Sequence, residues 1–262
     1  MSYEHILFST GEGVARLTFN RPERLNSFTN AMHAEVRDAL GRVRGGDSRV
    51  LVISGAGRGF CAGQDLADRA VSPGGEGVDL GESIEKNYAP LVLALRALPL
   101  PVIAAVNGVA AGAGANLALA CDLVIAAQSA SFIQSFAKLG LVPDCGGTWV
   151  LPRLLGNARA LGLAMLGERL SAAQAAEWGL IWRCVEDAQL PPTVDALAAQ
   201  LAAAPTLGLA RTKQAIYGSW ERDLAAQLAV ERDLQRELGA TQDYAEGVES
   251  FIGKRTPRFF GR

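Results

Sequence analysis

The sequence predicts an α/β fold with a helical C-terminal tail, and three observations carry that prediction. Short apolar runs rich in β-branched residues recur at 50–53, 102–106 and 123–127, with the length and composition of strands buried on both faces. Glycine-rich turns follow the first two, at 54–65 and around Gly108, Gly112 and Gly114, and helical periodicity fills the intervals. From Pro192 onward strand signals stop and only helical stretches remain, the pattern of a core followed by a helical module.

In chain order, residues 4–10 and 14–19 alternate as a hairpin, with Gly11 and Gly13 in its turn. Pro22 takes the chain out of the sheet. A helix is predicted over 31–43 and ends at Gly45-Gly46. After the strand at 50–53 and its glycine loop, residues 70–82 are rich in Gly, Ser and Asp with no period and are read as a mobile surface loop positioned to cover a site. An amphipathic helix over 84–98 ends at Pro99 and delivers the chain to the central strand, 102–106. Beyond the strand at 123–127, helices are expected at 157–166 and 171–178, the second opened by Ser171 and Gln174 as a capping box. A short strand at 180–185 precedes helices at 194–203, 207–217, 223–238 and 242–252. The organisation expected is residues 1–192 as the core carrying the site and 193–262 as the helical region, whose small apolar mass must pack on the core or on another subunit.

A chain of 262 residues, 49% hydrophobic, has globular composition, and 25 basic against 27 acidic residues gives no overall bias toward nucleic acid or anionic membrane. The N-terminus MSYEHILFST has no secretory pattern, and no apolar run reaches the length of a membrane span. A cytoplasmic protein is expected. Cys61, Cys121, Cys145 and Cys184 form no C-x-x-C pair and His5 and His33 no metal-ligand spacing, so four reduced, mostly buried thiols and no metal are expected.

The stretch PVIAAVNGVAAGAGANLALACD (101–122) organises the rest. Its glycines let a ligand approach main-chain N–H groups at a helix N-terminus, an arrangement suited to an anion or a developing oxyanion. A strand-to-helix turn that needs glycine only for packing has the same spacing. G-x-G-x-x-G fails because Leu117 stands where the third glycine belongs, and no G-x-x-x-x-G-K-[ST] is present. Asp144 lies among apolar residues just before Gly146-Gly147; it is either a carboxyl group with a raised pKa suited to proton transfer or a turn aspartate. Neither histidine lies beside a nucleophile motif.

Five segments together, NRPERLNSF (20–28), GRGFCAGQDL (57–66), PVIAAVNGVAAGAGANLALACDLVIA (101–126), GLVPDCGGTWVLPRLLG (140–156) and FIGKRTPRF (251–259), resemble the enoyl-CoA hydratase/isomerase, or crotonase, family over nearly the whole chain. The resemblance implies a crotonase-like spiral of ββα units with a C-terminal helical oligomerisation module, an acyl-CoA substrate, and a homotrimer or dimer of trimers. It implies no cofactor beyond the coenzyme A of the substrate; the composition offers no basic face for nucleic acid and no apolar run long enough for a membrane, so neither is expected as a partner. By match to the family pattern, the oxyanion donors are the N–H groups of Gln64 and Ala113. Arg24, Ala62, Asp65 and Leu66 fall where the family holds coenzyme A, and Lys254 where a neighbouring subunit reaches that nucleotide, or else is a surface lysine.

The departures narrow the activity. Hydratases of the family carry two glutamates where this sequence reads Asn116 and Phe136, and the dehalogenase branch needs a histidine that is absent beyond His33. Asn116 with Asp144 resembles the members that isomerise 2-(1,2-epoxy-1,2-dihydrophenyl)acetyl-CoA to oxepin-CoA and shift Δ3 double bonds to Δ2. On that resemblance Asp144 is the proton shuttle, Asn116 a polar lining residue or a helix-start cap, and Phe136 a pocket wall or core. A hydratase-like lyase and a non-catalytic acyl-CoA-binding scaffold trimer are the alternatives.

Overall fold

A computed structural model describes residues 3–67 and 79–262, and among these ten strands form two sheets. Strands β1 (Ile6–Gly11) and β2 (Val14–Phe19) are the predicted hairpin. Gly11 pairs with Val14, so the turn is Glu12-Gly13 alone, both with φ above zero (52° and 75°), as a type I′ turn requires. Parallel strands β3 (Val50–Gly55), β5 (Val102–Val106), β7 (Leu123–Ala127) and β10 (Arg183–Val185) extend β2 into a six-stranded sheet ordered β1-β2-β3-β5-β7-β10.

After β3, β5 and β7 the chain turns and adds a three-residue strand to a second sheet. These are β4 (Gly59–Cys61), β6 (Val109–Ala111) and β8 (Ser131–Ile133), mutually parallel neighbours, with β9 (Arg169–Ser171) antiparallel at the end. The result is a spiral of two-strand units whose second strands are too short to leave a periodic signal in sequence.

Helix α1 (Asn30–Gly45) starts at Thr29, whose hydroxyl accepts the Met32 N–H, and buries Met32, Val36, Ala39, Leu40 and Val43 along one face. The helix before the central strand begins earlier than predicted. Asp79 caps α2 (Leu80–Ser83), a π-helical turn spans Ile84–Tyr88, and α3 (Ala89–Ala97) follows. Leu98 is extended (ψ 130°), as the residue before Pro99 must be, and the helix stops there. Residues 79–82 of the predicted loop are therefore cap and first turn, and residues 70–78 lie outside those described. Helix α4 (Ala113–Ala120) is buried at all eight positions.

Helix α5 (Gly147–Leu166) reaches ten residues further toward the N-terminus than predicted; it breaks at Gly156 (φ 72°, ψ 164°) and carries Pro152 in its first half. Glycine and proline in that half had masked it. Ser171 caps α6 (Ala172–Glu177) by accepting the Gln174 N–H at 3.2 Å. Helix α7 (Leu190–Ala202) packs on β2, β3, β5 and β7, and the 192/193 boundary falls in its first turn. Helices α8 (Thr206–Gly218), α9 (Leu224–Leu238) and α10 (Gln242–Ile252) follow.

Two polar clusters fix the tail. Asp122, just before β7, accepts from the Val102 N–H (2.7 Å), the Tyr217 hydroxyl (2.7 Å) and the Lys213 ammonium (2.9 Å), which pins α8 over the central strand. Burial, aided by the Asp122 charge, raises the Tyr217 phenol well above its ordinary range, so it remains a donor. Arg49, at the entry to β3, donates to the carbonyl groups of Ala204 and Phe259 and to the Thr206 hydroxyl. Cys61, Cys121 and Cys145 are buried, Cys184 is half-buried, and all four are free; burial pushes the Cys61 and Cys121 thiols up to about 12.

Candidate active site

The glycine turns leave the short strands β4 and β6, not β3 and β5 directly. Beyond β4, Gly63 takes φ 92°, and the next residues make one parallel bridge: Phe28 donates to the Gly63 carbonyl (2.7 Å) and Asp65 donates to the Phe28 carbonyl (2.9 Å). In such a bridge the N–H of the intervening residue points the other way. The Gln64 N–H is thus directed away from Phe28, toward the side where β6 and α4 lie, and it makes no hydrogen bond with a described residue. Tyr88, buried in the π-helical turn, donates to the Gln64 Oε1 at 3.0 Å and holds the side chain back from that side.

Beyond β6, Gly112 (φ 53°, ψ −127°) reverses the chain and Ala113 opens α4, so the Ala113 N–H is one of the free donors of a helix start. The two turns touch. A Cβ on Gly63 would stand 3.2 Å from the Ala113 nitrogen, and one on Gly114 would stand 2.2 Å from the Cys61 carbonyl oxygen. Gly114 is needed for that approach, which brings the segment carrying Gln64 against the start of α4, where Ala113 lies. Main-chain donors fixed in this way suit an oxygen that gains negative charge.

Asp144 comes from the third unit, beyond β8, in a half-buried turn that Gly147 closes by donating to the Asp144 carbonyl (2.8 Å). Asn116 fixes this turn: its Nδ2 donates to the same carbonyl at 2.8 Å, and its Oδ1 accepts from Gln134 Nε2 at 2.9 Å. Asn116 is 1% exposed and sits three residues into α4 from Ala113, about 4.5 Å along the axis. It is therefore no helix-start cap; it ties the Asp144 turn to the helix that carries the second N–H. Phe136 is buried against Gly112. Asn116→Ala is expected to leave the Gln134 amide and the Asp144 carbonyl without this link at a cost of about 1–3 kcal/mol, read as a lower midpoint in chemical denaturation, with a fall in activity as the Asp144 turn loosens.

Four of the residues matched to coenzyme A binding gather on the outer rim of the first turn. The Ala62 N–H donates to the Leu25 carbonyl (2.9 Å), Leu66 is exposed, and Arg24 is exposed on the 3-10 turn Pro22–Arg24. Asp65 pairs with Arg21 at 3.0 Å and accepts from the Ala67 N–H. Burial pushes the Asp65 carboxyl up, but the Arg21 hydrogen bond, the Ala67 N–H and the Arg21 and Arg24 charges outweigh it and hold it below the usual range. Lys254 is not brought to this rim within its own chain. It lies exposed beyond α10, on a tail that Arg49 anchors at the opposite end of β3.

Sequence reasoning missed the residues that hold these turns. Buried Asn26 donates to the carbonyls of Ala56 and Gly59, and Asn107 accepts from the Gly55 N–H and donates to Gly57 and Gly59. Their partners lie 30 to 52 residues away, and no local spacing signals such bonds. A cavity of about 770 Å³ opens between α3, α4, the start of α5 and α8; Asn116 lines it, and Gln64, Ala113 and Asp144 do not. Asn116, Cys145 and Gly146 form its near end, Val92, Leu119 and Trp149 its apolar wall.

Among known protein families, residues 9–262 match Enoyl-CoA hydratase/isomerase. The chain belongs to the enoyl-CoA hydratase/isomerase family. Two curated relatives in this family span essentially the whole chain. One, named 1,2-epoxyphenylacetyl-CoA isomerase, from Escherichia coli (strain K12), is 57% identical over 99% of each chain; the other, a probable enoyl-CoA hydratase from Rhodobacter capsulatus, is 49% identical over 100% of each. Among solved structures, a putative enoyl-CoA hydratase/isomerase from Mycobacterium abscessus superposes with a TM-score of 0.93 at 34% identity, covering 98% of this chain and 100% of that one. The two-sheet spiral is thus the crotonase-like fold expected for a member of the enoyl-CoA hydratase/isomerase family.

Proposed function

We propose that this chain is an acyl-CoA isomerase that converts 2-(1,2-epoxy-1,2-dihydrophenyl)acetyl-CoA to oxepin-CoA and also moves Δ3 double bonds of enoyl-CoA thioesters to Δ2. The proposal is supported by the contact of the Gly63 turn with the start of α4, which brings the segments bearing the Gln64 and Ala113 N–H groups together, and by Asn116, which ties the Asp144 turn to the same helix. The thioester oxygen accepts from the Gln64 and Ala113 N–H groups. The Asp144 carboxylate takes a proton from the carbon beside the thioester, and the electrons of that C–H bond flow into the enolate held by the two donors. Asp144 exchanges its proton with solvent and returns one further along the conjugated system, and in the epoxide the carbon–carbon bond shared by the two rings opens to give the seven-membered oxepin, so the product is an isomer and nothing is oxidised or reduced. The 57% identity to a protein named for the epoxide isomerisation supports the substrate. Hydration is disfavoured because Asn116 is committed to Asp144 and Gln134 and Phe136 offers no carboxylate.

Coenzyme A enters as part of the substrate, held on the rim by Arg24, Ala62, Asp65 and Leu66. The chain works as a homotrimer or dimer of trimers in the cytoplasm. Supporting assembly, α9 buries no residue while Leu224 and Leu228 stand 75% and 55% exposed, and Phe251 and Ile252 at the end of α10 are 85% and 75% exposed. Lys254 reaches a nucleotide only in a neighbouring copy. Among the described residues no single helix is long and apolar enough to cross a membrane. Incubating the protein with a panel of acyl-CoA thioesters in deuterated water and following mass and double-bond position is the test. The expected result is isomerisation with uptake of one deuterium; binding without exchange identifies a non-catalytic acyl-CoA scaffold and defeats the proposal.

A further inference from the structure

The cavity between α3, α4, α5 and α8 is built apart from the proton-transfer groups: Asn116, which lines it, has its amide engaged by Asp144 and Gln134. Its walls are mostly apolar, with Val92, Leu98, Leu119 and Trp149 among them, and one side carries a cluster of charge. There Lys213 donates to the Asp122 carboxylate (2.9 Å) and to the carbonyls of Leu95 (3.0 Å) and Leu100 (3.4 Å), so all three ammonium protons are engaged. Asp122, set behind the wall, also accepts from the Val102 N–H and the Tyr217 hydroxyl. Arg211 is paired with Glu237.

Arg96 is the cation left over. Its guanidinium lies between two rings, 4.0 Å from the Tyr217 ring centre and 5.0 Å from that of Trp149, and makes no hydrogen bond or ion pair with a described residue; its Nη1 is buried without a partner. Glu221, exposed at the rim, forms no ion pair with a described residue. Ring faces stabilise a cation but accept none of the five N–H bonds a guanidinium offers. Arg96 and Lys213 thus stand against a single carboxylate, Asp122, and one positive charge is in excess at an apolar wall. Such a charge is costly unless an anion with free acceptors lies beside it.

We infer that this cavity is a second binding site, for a small apolar molecule that bears one carboxylate. The carboxylate accepts from the planar fork of Arg96, the arrangement that guanidinium groups make with that anion, and the apolar body lies against Leu98, Leu119 and Trp149. Phosphate fits less well, because only one charge is unbalanced and Lys213 has no proton left to donate. A volume of about 770 Å³ is in the range of small-molecule sites. Arg96 takes no part in the proton transfer, so the site stands whether or not acyl-CoA is the substrate.

Calorimetric titration with octanoate, and with octan-1-ol as the same apolar body without the charge, tests this. The unaltered protein is expected to bind octanoate at one site per chain and about tenfold more tightly than octan-1-ol, and Arg96→Met to bring that preference to about one. Equal affinity for the two in the unaltered protein, or an unchanged preference in Arg96→Met, overturns the inference, as does tighter binding of inorganic phosphate than of octanoate. If Arg96→Met does not fold, Arg96→Lys, which keeps the charge but not the planar fork, is expected to lower the preference, and an unchanged one overturns the role of Arg96. Repeating the octanoate titration with phenylacetyl-CoA at saturation locates the site: unchanged affinity is expected, and displacement merges the cavity with the acyl-CoA site and overturns the second one. Failure of phenylacetyl-CoA to bind counts against the acyl-CoA reading alone, and the octanoate preference still decides the cavity.

Discussion

Asp144→Asn is expected to lower kcat for acyl-CoA isomerisation by about 10³-fold, within the range that a positioned general base contributes. Its KM should change by less than about threefold, because the lost interaction belongs to the transition state and not to substrate binding. The substitution is close to isosteric, and the contacts that fix the turn are made by the Asp144 main-chain carbonyl with Asn116 and Gly147, so they survive it. What disappears is a group able to take and return a proton. Deuterium exchange at the carbon beside the thioester should fall in parallel with turnover, while the melting temperature holds. Isomerisation at the unaltered rate by a folded Asp144→Asn protein would remove Asp144 as the base and send the search to another acceptor.

Gly114→Ala is the second large effect. The methyl group would meet the Cys61 carbonyl oxygen at 2.2 Å and its carbon at 2.7 Å, both main-chain atoms of β4, so no side-chain rotation relieves the contact. The strand and the helix must separate, at a cost of about 3 kcal/mol or more from overpacking. The same separation pulls the Gln64 and Ala113 N–H groups apart, and loss of one such donor lowers kcat by about 10²–10³-fold. Denaturant titration and steady-state kinetics on the same preparation check both halves. Should activity survive while stability falls, the two amides do not act on a common oxygen.

The long elements of this fold were legible because their signal is local. The central strand Val102–Val106, buried at every position, stands out as an uninterrupted apolar run, and the tail helices carry their own caps, Asp223 and Thr241. The three-residue strands β4, β6, β8 and β9 were not legible, since only pairing with distant segments makes them strands. They change where the site lies: the glycine turns emerge from the second sheet, one strand later than the apolar runs suggested. Asn116 shows the same limit at the level of one side chain. Its position in the sequence suggested a lining residue or a cap, whereas its role is set by Gln134 and Asp144, 18 and 28 residues on. Arg96 ends an ordinary amphipathic helix, and nothing within that helix distinguishes it from a solvated arginine.

The groups that hold the enolate in the proposed reaction belong to the peptide backbone, and this has a consequence for how such a protein changes over generations. Of the twenty residues only proline lacks the main-chain N–H, so every other exchange at 64 or 113 keeps the donor, whereas the carboxylate at 144, the side-chain amide at 116 and the ring at 136 can each be exchanged independently. A lineage built on this scaffold can therefore acquire a different acid or base without first rebuilding the apparatus that makes the carbon acid accessible. Diversification should leave its record in side chains facing the acyl group, while the two loops persist as a fixed inheritance.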